Sequence, residues 1–327
     1  MATLTQSRAG TYRTTRTWSL RLLRLLLVLF IVTFGTTALI ALSPGDPAVT
    51  IAGDSAPPEV LQAVRDKYGF DDPMIQNWWD WTSSAVRGDL GESDFLQRPV
   101  IEVIGERLPI TAELTILSML MTVIVAVPAG LYAAYRRGSW VDRLINAMTS
   151  ALIAVPSFVI GLVLVLALAI GTGWFPTSNW SYIEEGLGAN LTSAFLPALS
   201  LALVEIAILT PILRADAVSS LTHDYIALAR AKGISTTRLL FRHVLRPSSI
   251  SLVTLLGLAL GRLFGGAIVI EVVFNLPGLG TQLVSAVRDK DLILIQGLVA
   301  FIAVLYVVAN LVVDLLIPKL YPGTNAS

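Results

Sequence analysis

Two ionisable side chains stand where water should be absent. Glu205 and Arg262 each fall near the middle of a long apolar stretch of this 327-residue chain. A charge in such a place is costly and ordinarily faces a bundle interior or a wet cavity, and leaving either group unpaired costs more than pairing the two. An acid and a guanidinium so placed suit an ion pair that lines a polar path, so Glu205 and Arg262 are expected to lie close together. The alternative is that Arg262 sits at a protein interface and Glu205 pairs elsewhere. Along the same stretch as Arg262, Gly257, Gly261 and Gly265 recur every four residues. Small residues at this spacing let helices approach closely in lipid; they serve either packing against another helix or a thin wall beside a pathway.

Other chemistries are excluded by what the chain lacks. It has no cysteine, hence no disulfide, thiolate metal site or cysteine nucleophile. Its only two histidines, His223 and His243, share one polar loop, which leaves neither an H-E-x-x-H metal site nor a buried Ser–His pair. No catalytic or metal-ligating set remains, and the chain is not read as an enzyme. There is no G-x-x-x-x-G-K-[ST] phosphate loop, so ATP and Mg, if used, belong to another polypeptide. A formal net charge of zero gives no argument for nucleic acid.

The elements that must position these residues are membrane helices. Hydrophobic residues make up 54% of the chain and charged ones only 14%, against about 25% charged in an ordinary soluble domain. Roughly 20 apolar residues cross a bilayer core, and six segments qualify: about 20–42, 111–134, 145–170, 194–214, 250–273 and 294–317. The expected fold is all-α and polytopic, with six transmembrane helices. The first apolar run follows Arg8, Arg13, Arg16, Arg21 and Arg24 and ends in Ser-Pro-Gly-Asp-Pro-Ala. It exceeds the about 7–15 residues of a secretory h-region and has no A-x-A site, so it is read as an uncleaved span. Lys and Arg gather on one side by alternation: the five arginines just named, then Arg136, Arg137 and Arg143, then Arg230, Lys232, Arg238, Arg242 and Arg246, then Lys319. That side is cytoplasmic, which puts both termini in the cytoplasm.

The chain therefore divides into a basic N-terminus with the first span (1–42), an extracytoplasmic segment (43–108), a core of five spans (109–318) containing the loop 215–249, and a short cytoplasmic tail (319–327). In the extracytoplasmic segment, Ser-Pro-Gly-Asp-Pro is a turn cluster. Ser55, Pro57, Pro58 and Glu59 mark a helix start, and a second short helix covers 73–86 with Trp78, Trp79 and Trp81. These tryptophans suit a cap on the bilayer interface or a docking surface for a soluble partner.

Loop 215–249 is too polar to span. Within it Ile226, Leu228 and Ala229 precede Gly233, and Leu239, Leu240, Val244 and Leu245 recur at helical spacing. Gly233 suits the left-handed residue that ends a helix, and Ser235 or Thr236 can cap the next one. Helix, glycine turn, helix is the expected order, with the small residues Ala227, Ala229 and Ala231 exposed on the first. Such a unit either docks a protein closely or rests as an amphipathic helix on anionic headgroups.

Here the sequence resembles the permeases of binding-protein-dependent ABC transporters, and in particular the first permease subunit of the oligopeptide/dipeptide group. The resemblance rests on ARAKG at 229–233 with HVLRP at 243–247, and on PGDPA at 44–48, GDLGES at 88–93, RPV at 98–100, RLPITAEL at 107–114, DYIALARAKG at 224–233, EVVFNLPGLG at 271–280 and IQG at 295–297. One departure is that Ala227, Leu228 and Ala229 stand where the general loop motif has Glu-Ala-Ala, as in many peptide-type members.

The resemblance implies a bacterial cytoplasmic (inner) membrane protein and a coupling helix within about 224–235 that docks on a cytoplasmic P-loop ATPase. Tyr225, Ala229, Arg230, Lys232, Gly233 and His243 match the loop motif and are the expected coupling residues. Asn275, Pro277, Gly278 and Gly280 are implied as an outer gate or a contact for an extracytoplasmic binding protein. A second homologous permease subunit is implied as well. The implied cargo is a short peptide, with nickel, glutathione or another small solute as alternatives. A carrier or channel that needs no ATP is the competing class.

Overall fold

The computed structural model describes residues 23–320 apart from 24, 40, 43–45, 54 and 70. The parts of the expected first span and of the two cytoplasmic ends that precede Leu23 or follow Leu320 lie outside the described residues. Almost everything described is helical, and the chain divides into two compact units, residues up to Glu106 with Leu283–Val307 and Arg107–Gln282 with the residues from Val308 on.

The first unit starts with helix α1, Leu25–Leu39. Short helices α2 (Pro47–Ala52), α3 (Pro58–Tyr68) and α4 (Met74–Val86) follow it. The Asp46 carboxylate accepts the Ala48 N–H at 2.9 Å and caps α2; residues 43–45 of the expected turn lie outside the described residues. Asp46 also pairs with Arg65 of α3, and that hydrogen bond holds its carboxyl below the usual range. Helix α3 starts at the second proline with Pro57 as its cap residue and no side-chain cap, so Ser55 does not take the expected role. Tyr68 is held above the usual phenol range, first by burial and then by its hydrogen bond to Asp94. Trp78 of α4 turns inward: its indole N–H donates to Thr33 Oγ1 at 3.0 Å, and its ring meets Phe30 and Phe34 edge-on. Of the three tryptophans only Trp79 is largely exposed.

A feature without a sequence signal comes next, a two-residue antiparallel ladder pairing Glu92 with Pro99 and Ser93 with Arg98. Its anchor is Asp291, a buried acid that accepts from the Ser93 hydroxyl and from the Leu294 N–H at 3.0 Å. Asp291 thereby caps helix α13, Leu292–Leu320. Gln296 of α13 donates to Thr37 Oγ1 of α1 at 3.0 Å, a polar link of the kind that helices use where no water competes.

The second unit is built on three long helices: α5 (Val100–Tyr135), α8 (Leu187–Leu221) and α11 (Leu245–Phe274). Among the described residues four helices are long and apolar enough to cross a membrane: Val100–Tyr135, Leu187–Leu221, Ser251–Phe274 and Leu292–Val312. The stretch expected as the third span is two helices, α6 (Trp140–Ile153) and α7 (Ser157–Leu164), the second running on through a wide π turn to Ile170; the pair is bent by 105°. Pro156 explains the break. It has no N–H to donate and disfavours helical geometry at Val155, and its carbonyl starts the new helix by accepting from Val159 and Ile160. Counted as one span, the bent pair makes five.

Polar residues on α5 face inward and satisfy themselves. Thr115, Ser118 and Thr122, all buried, return their hydroxyl protons to the carbonyls four residues earlier, which costs no unpaired donor in an apolar core. Gly130 of α5 lets α8 come close, since a Cβ there would lie 3.1 Å from the Thr210 carbonyl and 3.3 Å from Leu213. Leu209, Leu213, Ala126 and Leu131 pack around that contact. On α11, Gly257 and Gly261 are buried, whereas Gly265 is exposed with nothing within 4 Å of a built Cβ. The close approach belongs to Gly266, whose Cβ would stand 3.0 Å from Leu201.

Gly280 is tightly enclosed, with a Cβ placed 2.3 Å from the Ile268 Cα. Backbone cannot move aside as a side chain does, so Gly280→Ala is expected to destabilise by about 3 kcal/mol, the upper end of overpacking costs. Gly188→Ala, in open space, is expected to change stability by less than about 1 kcal/mol. Thermal unfolding of the two detergent-purified variants checks the contrast.

Candidate functional site

The loop between α8 and α11 folds as a short helix, a glycine turn and a second helix. Helix α9, Asp224–Ala231, ends at Lys232, and Gly233 follows at φ +73°. The Gly233 N–H reaches the Arg230 carbonyl at 2.9 Å and the Ile234 N–H reaches Ala229 at 3.2 Å. This is the double bond pattern of a Schellman stop. Ser235 occupies the next cap position, with no hydrogen bond from its side chain, before α10 (Thr236–Arg238). The chain then widens into a π turn over Leu239–Val244 that feeds α11. The wide turn sends Leu239, Leu240 and Val244 to one side, where they pack with Ile226 and Ala229 of α9 and with Leu213 and Ala217 of α8.

Burial within α9 corrects one expectation. Ala227 and Ala231 are exposed, but Ala229 is buried at 6%, because it lies one turn from Ile226 on the face that seals against the core. Ala229 fastens the helix from beneath and is not open to a partner. Leu228 points out and is 56% exposed. With Tyr225, 44% exposed, and Lys232 it makes an outward stripe three and four residues apart. Arg230 is exposed, its guanidinium 6.0 Å from the centre of the Tyr135 ring at the end of α5. His223 stacks on Tyr225, and His243 is half-buried within the π turn.

The base of this loop is tied to three neighbouring elements. Ser220 near the end of α8 and Ser248 near the start of α11 share a hydrogen bond of 3.3 Å. Tyr135 and Thr236 hydroxyls meet at 3.5 Å. The strongest tie is an ion pair that nothing in local sequence announces. Arg214 of α8 grips Asp142 with Nε at 2.5 Å and Nη2 at 2.7 Å, while Asp142 also accepts from the Gly138 N–H at 2.9 Å and Asn146 at 2.8 Å. The acid is thus saturated at the first turn of α6, where a negative charge is favourable.

Deeper along the same helices the expected pair is present. Arg262 of α11 donates to Glu205 of α8 through Nε at 3.0 Å and Nη2 at 2.7 Å. Its two ends differ sharply: the Glu205 side chain is 4% exposed and that of Arg262 42%.

The third site is organised by Glu271, a fully buried acid with no ion-pair partner among the described residues. It accepts from the Thr111 hydroxyl at 2.6 Å and from the Gly280 N–H at 2.6 Å, with the Thr281 N–H at 3.3 Å. It thereby caps helix α12, Leu279–Arg288, from a distance. A Cβ on Gly278 would fall 2.4 Å from the Glu271 carboxylate. Gly278 and Gly280 are both buried. These glycines let the chain pass the acid. Asn275, in left-handed conformation at the end of α11, is exposed, and Pro277, whose carbonyl accepts from Arg107 at 3.3 Å, is half-buried.

Arg214→Ala would leave Asp142, 5% exposed, as an unpaired buried acid, and is expected to cost about 3–5 kcal/mol. Thermal unfolding of the purified variant measures it, and Arg214→Lys is expected to recover only part, since an ammonium cannot make the two parallel bonds.

Residues 126–325 match the family described as the binding-protein-dependent transport system inner membrane component, and residues 16–115 match the N-terminal part of the same kind of membrane component. A peptide transport system permease protein of Brucella abortus (strain 2308) is 38% identical over 290 residues, 88% of this chain and 92% of its own. A peptide ABC transporter permease protein of Sinorhizobium fredii (strain NBRC 101917 / NGR234) is 35% identical over 277 residues, 85% of this chain and 88% of its own. The glutathione transport system permease protein of Escherichia coli (strain K12) is 39% identical over 306 residues, 93% of this chain and 96% of its own. Taken with the long apolar helices and the loop hung between two of them, these matches place the chain in the family of inner membrane components of binding-protein-dependent transport systems.

Proposed function

We propose that this chain is one of two homologous permease subunits of an ATP-driven importer that moves short peptides delivered by an extracytoplasmic binding protein. The observation that carries the reading is the two-sided character of α9. Ile226 and Ala229 bind it to the core, while Tyr225, Leu228 and Lys232 face outward. An amphipathic helix with anchors at such spacing fits a groove on another protein. The groove would belong to a cytoplasmic ATPase subunit, which would hold ATP and Mg. Arg230, Gly233 and His243 support the contact from its rim, its turn and its π-turn base. The reading carries six spans with both termini cytoplasmic, the first span extending beyond α1 and the bent pair counted as one.

In the same reading Glu205 and Arg262 line the translocation path, Gly265 meets a helix of the second permease, and Asn275 stands at an outer gate. Short peptides are favoured as cargo by relatives named for peptide transport, and glutathione follows from the relative named for it.

The test is affinity purification of this chain from its own membranes in mild detergent. A second permease and a P-loop ATPase are expected to come with it. Leu228→Asp, which changes only an exposed position, is expected to weaken retention of the ATPase about 30-fold or more, the scale of an interface anchor, while the second permease stays. A chain that purifies alone and moves solute in liposomes without ATP overturns the proposal.

A further inference from the structure

The Glu205–Arg262 pair is asymmetric in a way that an ion pair built only for structure has no need to be. A guanidinium carries five N–H donors in a planar fork. Glu205 takes two of them, on the Nε and Nη2 edge. The end-on edge, formed by Nη1 and the second N–H of Nη2, has no partner among the described residues. That edge is on the exposed side, since Arg262 is 42% open where Glu205 is 4%.

Position along the helix narrows what the open edge can face. Arg262 is the twelfth of 24 residues in Ser251–Phe274, at the depth where hydrocarbon would be thickest. A guanidinium edge left in acyl chains there is costly, so this face of α11 is turned to water or protein. Its neighbours on that face are Leu258, Gly265, Val269 and Val272, all exposed. Gly265, one turn on from Arg262, has nothing within 4 Å of a built Cβ, so space beside the guanidinium is open. From Leu258 to Val272 this face holds one hydrogen-bonding side chain, a permanently charged fork, among aliphatic walls.

We propose that the free end-on edge of Arg262 receives the carboxylate of the transported solute as it passes the midpoint of α11, with Glu205 fixing the fork. Side-on pairing to Glu205 leaves the end-on geometry intact, and carboxylates bind such an edge with two parallel charge-assisted bonds. Glu205 also cancels the charge of the empty site, so a solute carboxylate is held without becoming trapped by a bare cation. The proposal rests on the importer reading and adds to it a chemical class, a solute with a free carboxylate, and a residue that recognises it.

The experiment uses the complete importer in proteoliposomes, with binding protein present, and two probes, tri-alanine and its C-terminal amide. The wild-type preference for the acid over the amide includes capture by the binding protein, and that contribution cancels when the preference is compared between variants. In Glu205→Gln/Arg262→Gln, a neutral pair of similar size, the preference is expected to fall about tenfold, the worth of one charge-assisted bidentate contact. An unchanged preference, or equal losses for acid and amide, overturns the proposal and leaves the pair a structural tie or a contact of the second permease. The exchange Glu205→Arg/Arg262→Glu is a second check, because it rebuilds the pair but presents an acid to the path. Its uptake of tri-alanine is expected to stay at least tenfold down in a complex that still assembles, and recovery to the wild-type rate contradicts recognition. A wild-type complex that assembles with its ATPases but moves neither probe overturns the carboxylate assignment alone, whereas one that never assembles overturns the importer reading beneath it.

Discussion

In a hydrocarbon interior no water is on hand to satisfy a polar group, so each one must be satisfied by the protein itself. The second unit is organised by that constraint. Three buried acids among its described residues each recruit donors from another helix and so join elements far apart in sequence. Asp142 joins α6 to α8 through Arg214, Glu205 joins α8 to α11 through Arg262, and Glu271 joins α11 to α5 and to the start of α12 through Thr111 and Gly280. Apolar packing among Leu, Ile and Ala residues fills the space between, but lipid tails are as apolar as those side chains and give little directional preference. The acids supply the register.

Helix α8 carries both cation–acid ties, one near its middle and one near its end, and immediately beyond the second it gives rise to α9. A push on α9 therefore acts on a helix already locked to α6 and α11. The same economy shapes α9, whose eight residues commit only Ile226 and Ala229 to the core and leave the rest free to meet something else. A helix this short has little stability of its own. The Schellman stop at Gly233 and the wide turn at Leu239–Val244 hold it in place from the C-terminal side.

Much of this was legible from the sequence, for identifiable reasons. Long apolar runs announce α5, α8, α11 and α13 because length and hydropathy are local properties. Gly233 announces its turn because few other residues accept that backbone, and Glu205 and Arg262 announce each other because two charges in apolar runs have few ways to exist. What was hidden depends on tertiary neighbours. Asp142 and Arg214 lie 72 positions apart at the edges of apolar runs, where a charge is unremarkable. Glu271 sits inside a string of aliphatic residues, and its cap on α12 is visible only once the chain has turned back at Asn275. Leu228 and Ala229 are adjacent small or aliphatic residues on a short helix, and which of them is buried is decided by Leu239 and Val244 beyond the turn. Pro156 is not distinguished by type from Pro109, Pro128, Pro197 and Pro211, which stay inside helices, yet only at Pro156 does the chain bend sharply.

The central claim is that α9 presents its outward stripe to a separate ATPase. Because the chain has no cysteine, Leu228→Cys introduces a single thiol at the middle of that stripe. A short maleimide–benzophenone reagent, attached to that thiol and photoactivated in native membranes so that it inserts into a neighbouring C–H bond, is the most direct measurement. The account predicts a product joining this chain to a P-loop ATPase, identified by mass spectrometry, with a yield that changes when ATP is added. A thiol at residue 228 that forms no such product, and is instead shielded from water-soluble maleimide by the bilayer, would show α9 to be a membrane-surface helix and contradict the account.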